Sequence, residues 1–133
     1  MEAREDAMMI DHTSLGAKDY PRAVAFFSAA LAPLGYALQR DTGAEAAFGT
    51  ERDWGFFVYP VAPDATHIGE KTHYAFSAPS RAAVEAFNRA CAEQRARTTR
   101  PPGPRPDISP EYFGTVLVDP EGHTLEAVFW DRA

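Results

Sequence analysis

The sequence predicts an α+β domain made of two copies of one unit, strand–helix–strand–strand–strand. Three observations carry this. Ala23, Val24, Phe27 and Ala30 recur as Ala83, Val84, Phe87 and Ala90, at a constant offset of 60 residues. A histidine stands in the strand that opens each copy, His12 and His73, offset by 61, so the second copy has a connection one residue shorter. The closing hairpins overlay without gaps, Phe48-Gly49…Val58-Tyr59 on Val118-Asp119…Val128-Phe129, at an offset of 70. A shared order of elements, beyond matches in alanine-rich helices, marks an internal duplication.

Residues 1–7 are mostly polar and of mixed charge, and are expected to form a flexible N-terminus. The rest, 8–130, reads as a single domain with one module over about 8–60 and the other over about 71–130. The first strand is expected over Met8–Leu15. Asp19-Tyr20-Pro21 then opens a helix, with Asp19 as cap and proline tolerated in the first turn. Val24, Phe27, Leu31 and Leu34 fall three and four apart and make one apolar stripe, which Gly35 ends. Tyr36–Arg40, Ala46–Phe48 and Trp54–Tyr59 read as three strands, and Pro60–Glu70 as a linker. The second module opens with the strand Thr72–Ser77 and a helix capped by Ser80, whose buried face holds Val84, Phe87 and Cys91. A proline-rich excursion, Arg100–Pro110, holds the residues by which the second copy is longer.

Composition narrows the function. At 133 residues the chain is long enough for one real core but not two independent ones. A net charge of -6, with no basic stripe, argues against nucleic acid. One cysteine excludes an internal disulfide and fits a reducing compartment. The N-terminus has no long apolar run, so neither signal peptide nor membrane span is expected, and the expected location is cytoplasmic.

The chemistry gathers at the closing strand. Asp119-Pro120-Glu121-Gly122 is a tight-turn signal, and the residues after it alternate. Leu125, Ala127 and Phe129 face one way; Glu126, Val128 and Trp130 face the other. A carboxylate in such a strand is costly to bury unless a cation meets it.

The run Ile10-Asp11-His12-Thr13-Ser14-Leu15, the strand at His73 and the closing Asp119-Pro120-Glu121-Gly122-His123-Thr124-Leu125-Glu126 resemble the vicinal oxygen chelate superfamily. That group includes glyoxalase I, extradiol dioxygenases, fosfomycin-resistance enzymes and bleomycin-resistance proteins. The resemblance runs from about Met8 to Trp130 and implies two tandem βαβββ modules whose mixed sheets curl into a cup around a divalent metal. Carried over, it implies His12, His73 and Glu126 as metal ligands. Glyoxalase I has a second glutamate in the first module; here the gap-free offset puts Phe56 there, with Phe57 if the register slips by one. Neither binds metal, so what remains is the two-histidine, one-glutamate pattern of the extradiol dioxygenases.

Such a triad covers one face of an octahedral ion and leaves positions open for two adjacent substrate oxygens. Iron would add dioxygen chemistry, while zinc, nickel, cobalt or manganese would serve isomerisation or addition. The first functional expectation is therefore a metal-dependent lyase/isomerase or dioxygenase acting on a small molecule. The second is a non-catalytic protein of the bleomycin-resistance type that sequesters a ligand. The aromatic strand Trp54, Phe56, Phe57, Tyr59 favours the second, and the retained triad counts against it. A homodimer is expected under both. Phe56 is the candidate for an aromatic wall inside the cup, and Arg105 and Tyr112 are candidates to meet an anionic or phenolic substrate from a lid over Arg100–Phe113. His123 and His67 are expected outside the site, His123 exposed, and Cys91 in the core.

Overall fold

The computed structural model describes residues 8–132, so the expected flexible N-terminus at 1–7 lies outside the described residues. The first module runs β1 (Thr13–Ala17), α1 (Tyr20–Leu31), β2 (Ala37–Asp41), β3 (Ala46–Gly49) and β4 (Trp54–Pro60). The second repeats it as β5 (His73–Ser77), α2 (Arg81–Glu93), β6 (Arg97–Pro104), β7 (Tyr112–Val118) and β8 (Thr124–Trp130). Each module folds into its own four-stranded mixed sheet, in the orders β1-β4-β3-β2 and β5-β8-β7-β6. In both, the first strand crosses over through a helix to lie parallel to the last, and the other pairings are antiparallel. This is the duplicated βαβββ arrangement that the sequence predicts. Among the described residues no helix is long and apolar enough to cross a membrane.

The helices start where their caps dictate. The Asp19 carboxylate accepts from the Arg22 N–H (3.2 Å) and the Ser80 hydroxyl from the Ala83 N–H (3.1 Å), so each satisfies an otherwise orphaned donor. The first helix tightens into one 3₁₀ turn, Ala32–Leu34, and ends at Gly35 with φ 93°, a conformation glycine adopts without steric cost. Ala23, Phe26, Phe27, Ala30 and Leu31 are buried along its sheet-facing stripe, and Ala83, Val84, Phe87 and Cys91 along that of α2. Val24, expected in the stripe, is only half-buried. Removing a fully buried ring such as Phe27 would cost about 3–5 kcal/mol. Burial, followed by the charge of Asp119, pushes the Cys91 thiol up to about 12, which leaves it a protonated core residue.

Both sheets turn their helix-covered faces into one shared core. Phe56 bridges the modules, with its ring 4.9 Å from Phe27 of α1 and 5.1 Å from Phe76 of β5. The expectation of Phe56 on the open inner face of the cup is therefore corrected. At 4% exposure it stands on the helix side, and strand alternation puts Phe57 and Tyr59 on the opposite, open face.

Two further expectations are revised. The first strand begins at Thr13, where pairing with Phe56 starts, so His12 lies just before it. The proline-rich segment begins inside the edge strand β6, which runs to Pro104 with register shifts after Thr98 and Arg100. Prolines are tolerated there because one side of an edge strand needs no ladder donors.

His123 is also not where alternation beside a turn would put it: it is 3% exposed. Its Nδ1 meets Asp119 Oδ2 at 2.7 Å, and its Nε2 meets the Gly16 carbonyl of β1 at 2.9 Å. Beside it, Glu121 accepts from the N–H groups of Lys18 (2.7 Å) and Asp19 (2.9 Å) and from His67 Nε2 (3.1 Å). Burial alone would raise the Glu121 carboxyl, but these donors hold it below the usual carboxylate range. The cluster fastens the turn before β8 to the end of β1 and to the linker, and so joins the two modules by polar bonds as well as by the core.

Candidate metal site on an open sheet face

Strand register explains which side chains share the uncovered face of the second sheet. His73 pairs with Thr124 and Ala75 with Glu126, so His73 and Glu126 alternate away from the core residues Tyr74, Leu125 and Ala127. Tyr112 pairs with Trp130 and Val116 with Glu126, which puts Tyr112 on that face as well. The result is a compact group. His73 Nε2 lies 3.6 Å from Glu126 Oε1, and the Tyr112 hydroxyl donates to Glu126 Oε2 at 2.6 Å. Glu126 is 14% exposed and His73 53%, and the His73 Nδ1 lies 3.3 Å from the Lys71 carbonyl.

Tyr112 itself is buried, and its phenol is raised above the ordinary tyrosine range, first by burial and then by the Glu126 carboxylate. It therefore stays a neutral donor at working pH. Arg105 and Arg100 oppose that shift, so both positive charges bear on the hydroxyl. Arg105 is held by Asp107, with an Nε–Oδ1 distance of 3.0 Å. Arg100 pairs with Val116 in the same row that leads to Glu126.

His12 occupies the corresponding place on the first module. It precedes β1, its Nδ1 bonds Asp11 Oδ1 at 2.7 Å, its ring stands edge-on to Phe57 at 5.5 Å, and its side chain is 60% exposed. One chain does not bring it to the other two. Among the described residues no three His, Cys, Asp or Glu side chains lie close enough to hold a metal ion. The expected triad is thus divided, with His73 and Glu126 together and His12 on the open face of the other sheet.

Register also settles which residue replaces a second glutamate. Two residues after His73, Ala75 pairs with Glu126; two residues after His12, Ser14 pairs with Phe57. Phe57 is the counterpart of Glu126, and Phe56 that of the core residue Leu125. The gap-free overlay of the hairpins is off by one, so the counterpart is Phe57, the sequence alternative for a one-residue slip, and not Phe56. Sequence reasoning missed Arg100 and Gly114, over which the Tyr112 ring lies, although Tyr-x-Gly in a strand is a readable signal of such a contact.

Donor chemistry fits a divalent ion in part: an imidazole and a carboxylate are suitable ligands, and Tyr112 provides the hydrogen bond that orients the carboxylate.

The sequence matches the model of the Glyoxalase/Bleomycin resistance protein/Dioxygenase superfamily over residues 9–127. No curated protein matches the chain. Solved structures share the fold at low identity. One is a glyoxalase/bleomycin resistance protein from Albidiferax ferrireducens T118, with a TM-score of 0.81 and 22% identity over 92% of this chain and 99% of that one. Another is a glyoxalase/bleomycin resistance protein/dioxygenase family enzyme from Burkholderia phytofirmans PsJN, with a TM-score of 0.68 and 14% identity over 90% and 97%. A glyoxalase I mutant from Zea mays aligns with a TM-score of 0.67 and 24% identity over 89% of this chain but 44% of the maize chain. Duplicated topology, strand register and the match over nearly its whole length show that the chain belongs to the Glyoxalase/Bleomycin resistance protein/Dioxygenase superfamily.

Proposed function

We propose that this protein is a small metal-dependent enzyme, a lyase/isomerase or dioxygenase, whose site is shared across a homodimer. In this reading His73 and Glu126 of one chain and His12 of a second copy hold one divalent ion, which is iron, zinc, nickel, cobalt or manganese. The observation that carries it is the convergence of His73, Glu126 and Tyr112 on one open face, with His12 at the matching place on the other. A two-fold dimer is self-complementary, so apposing unlike open faces of two chains completes two identical sites at once.

A divalent ion bound there supplies a Lewis acid for two adjacent substrate oxygens, and lowers the pKa of an enol or hydroxyl. Glu126 brings the negative charge, and its bond to Tyr112 fixes which oxygen is free. Tyr112, neutral and a donor, is placed to give a hydrogen bond to a developing oxyanion. Arg100 and Arg105 add positive charge at the same edge, which suits an anionic or phenolic substrate. Phe57 at the fourth position counts against the four-ligand glyoxalase I pattern.

Aromatic side chains on the open faces, Phe57, Tyr59 and Trp130, support a second reading, a ligand-sequestering protein without catalysis. Metal analysis on protein purified without chelators separates the two. The enzyme reading expects near one ion per chain, lost in both His73→Ala and Glu126→Ala. Wild-type protein that takes up none of the five ions would sink it, and ligand binding with undiminished affinity in metal-free protein would favour sequestration.

A further inference from the structure

A cavity of about 650 Å³ opens between the modules, lined by residues of both and reaching His73 but not Glu126 or Tyr112. Its floor is Leu31, Phe48, Phe56 and Phe76, the first three no more than 4% exposed. Interiors pack at a density near ~0.75, so an apolar space of this size is not ordinary slack between packed elements. It lies within the range of about 300–1,000 Å³ in which small-molecule sites fall.

One wall is the backbone of β5, from Thr72 to Ser77. That strand is at the edge of its sheet, so among the described residues one side of it has no strand partner. Two bonds show which groups point which way. The Ala78 N–H donates to the Val128 carbonyl of β8 at 2.8 Å, whereas the Ser77 carbonyl accepts from the Tyr36 hydroxyl of the first module at 3.1 Å. Alternation along the strand then turns the N–H and C=O of Ala75, like those of Ser77, toward the first module and the cavity. Tyr36 and Tyr74 add aromatic walls, with their hydroxyls already engaged by Ser77 and Ser14. Among the described residues the carboxylates lining the space are Asp11 and Asp53, and no lysine or arginine lines it.

We propose that this cavity, which meets the proposed metal site only at His73 on its rim, is a second ligand pocket, which takes a flat aromatic molecule with an adjacent N–H and C=O that pair with the edge-facing backbone of Ala75. Aromatic walls favour the ring by offset and edge contacts. The strand edge supplies one donor and one acceptor at the spacing an amide or lactam presents. The carboxylates admit a neutral or cationic ligand and disfavour an anion. Because Ala75 lies two residues after His73 in the same strand, an occupant would touch the element that also presents a ligand of the proposed metal site.

The probe is quinolin-2(1H)-one, a neutral bicyclic lactam, titrated into the full chain while backbone amide resonances are followed. Saturable binding with Ala75 among the most shifted amides is expected, with nuclear Overhauser contacts from the probe to the rings of Phe56 and Phe76. The N-methyl analogue, which lacks the donor, should bind roughly five- to tenfold more weakly. Thr13→Trp, which places an indole in the cavity mouth, should abolish binding and leave metal content unchanged. No saturable shift at Ala75, equal binding of the N-methyl analogue, or probe contacts that fall on Tyr112 and Glu126 instead would each overturn the proposal. The Overhauser contacts are read on the wild type, so the result stands even if Thr13→Trp fails to fold.

Discussion

Tyr112 reaches Glu126 by lying over Gly114. The two partners are not opposite one another in the sheet: Tyr112 pairs with Trp130, and Glu126 with Val116. The phenol spans that diagonal along β7 to give its 2.6 Å bond, and Gly114 between them leaves the surface flat. A Cβ built at Gly114 would stand 2.6 Å from Tyr112 Cζ and 2.8 Å from the Ala127 carbonyl, closer than real contacts allow.

Gly114→Ala therefore either lifts the ring from Glu126 or spreads β7 from β8. Overpacking of this kind costs about 1–3 kcal/mol, to be read from the urea midpoint. A variant as stable as wild type, with the tyrosine bond intact, would show that the strand yields and that glycine is not needed there.

Tyr112→Phe keeps the ring and removes only the hydroxyl. Hydrogen bonds to a charged group contribute about 1.5–3 kcal/mol, and Glu126 would be left with a half-buried oxygen lacking its donor. If Tyr112 orients Glu126 toward a metal, affinity should also fall by about 10–100-fold, as when an outer partner of a metal ligand is lost. Metal titration by calorimetry measures this directly. Lost stability with unchanged affinity would make Tyr112 a structural partner alone.

Division of the proposed triad between chains makes a mixing experiment decisive. His12→Ala and Glu126→Ala each destroy both sites of their own homodimer. Co-refolded at equal amounts, they form a heterodimer with one intact site and one doubly broken site, which should restore about one quarter of the wild-type metal content. No recovery, with mixed dimers shown to form, would place all three ligands within one chain or outside the triad.

The topology was legible because the duplication leaves its trace at several levels at once: helix caps at Asp19 and Ser80, matched apolar faces, and histidines at matched places. Alternation likewise placed Glu126 on the face opposite Leu125 and Ala127, where the structure has it. What failed was register. The β3–β4 ladder shifts between Phe48 and Gly49, whereas β7 and β8 pair without a shift from Val118 to Tyr112. A gap-free overlay cannot represent a bulge, and a one-residue slip exchanges the two faces of a strand. That is why the gap-free overlay points to Phe56, and the slipped register to Phe57, which stands there. His123 was misjudged for a different reason: its burial depends on Gly16, far away in the chain, and no local period reports such a contact.

His123 should also govern the alkaline side of the stability profile. Its two ring nitrogens face two acceptors, Asp119 Oδ2 and the Gly16 carbonyl, which fits a doubly protonated ring. Burial works against that charge, but the bond and charge of Asp119, the Gly16 carbonyl and the charge of Glu121 outweigh it, and the folded pKa lies above the ordinary value. His67, 5.2 Å away and edge-on, completes its surroundings. In the unfolded chain the ring titrates near ~6.5. The stabilisation is thus fully present below that pH and is lost as pH rises through the raised folded value. His123→Gln should cost about 3 kcal/mol near pH 6, because it leaves Asp119 buried without its cation, and should flatten the alkaline slope of unfolding free energy against pH. An unchanged slope in the variant would mean that the ring is neutral in the folded protein, and that the bond to Gly16 or to Asp119 is made by a single tautomer.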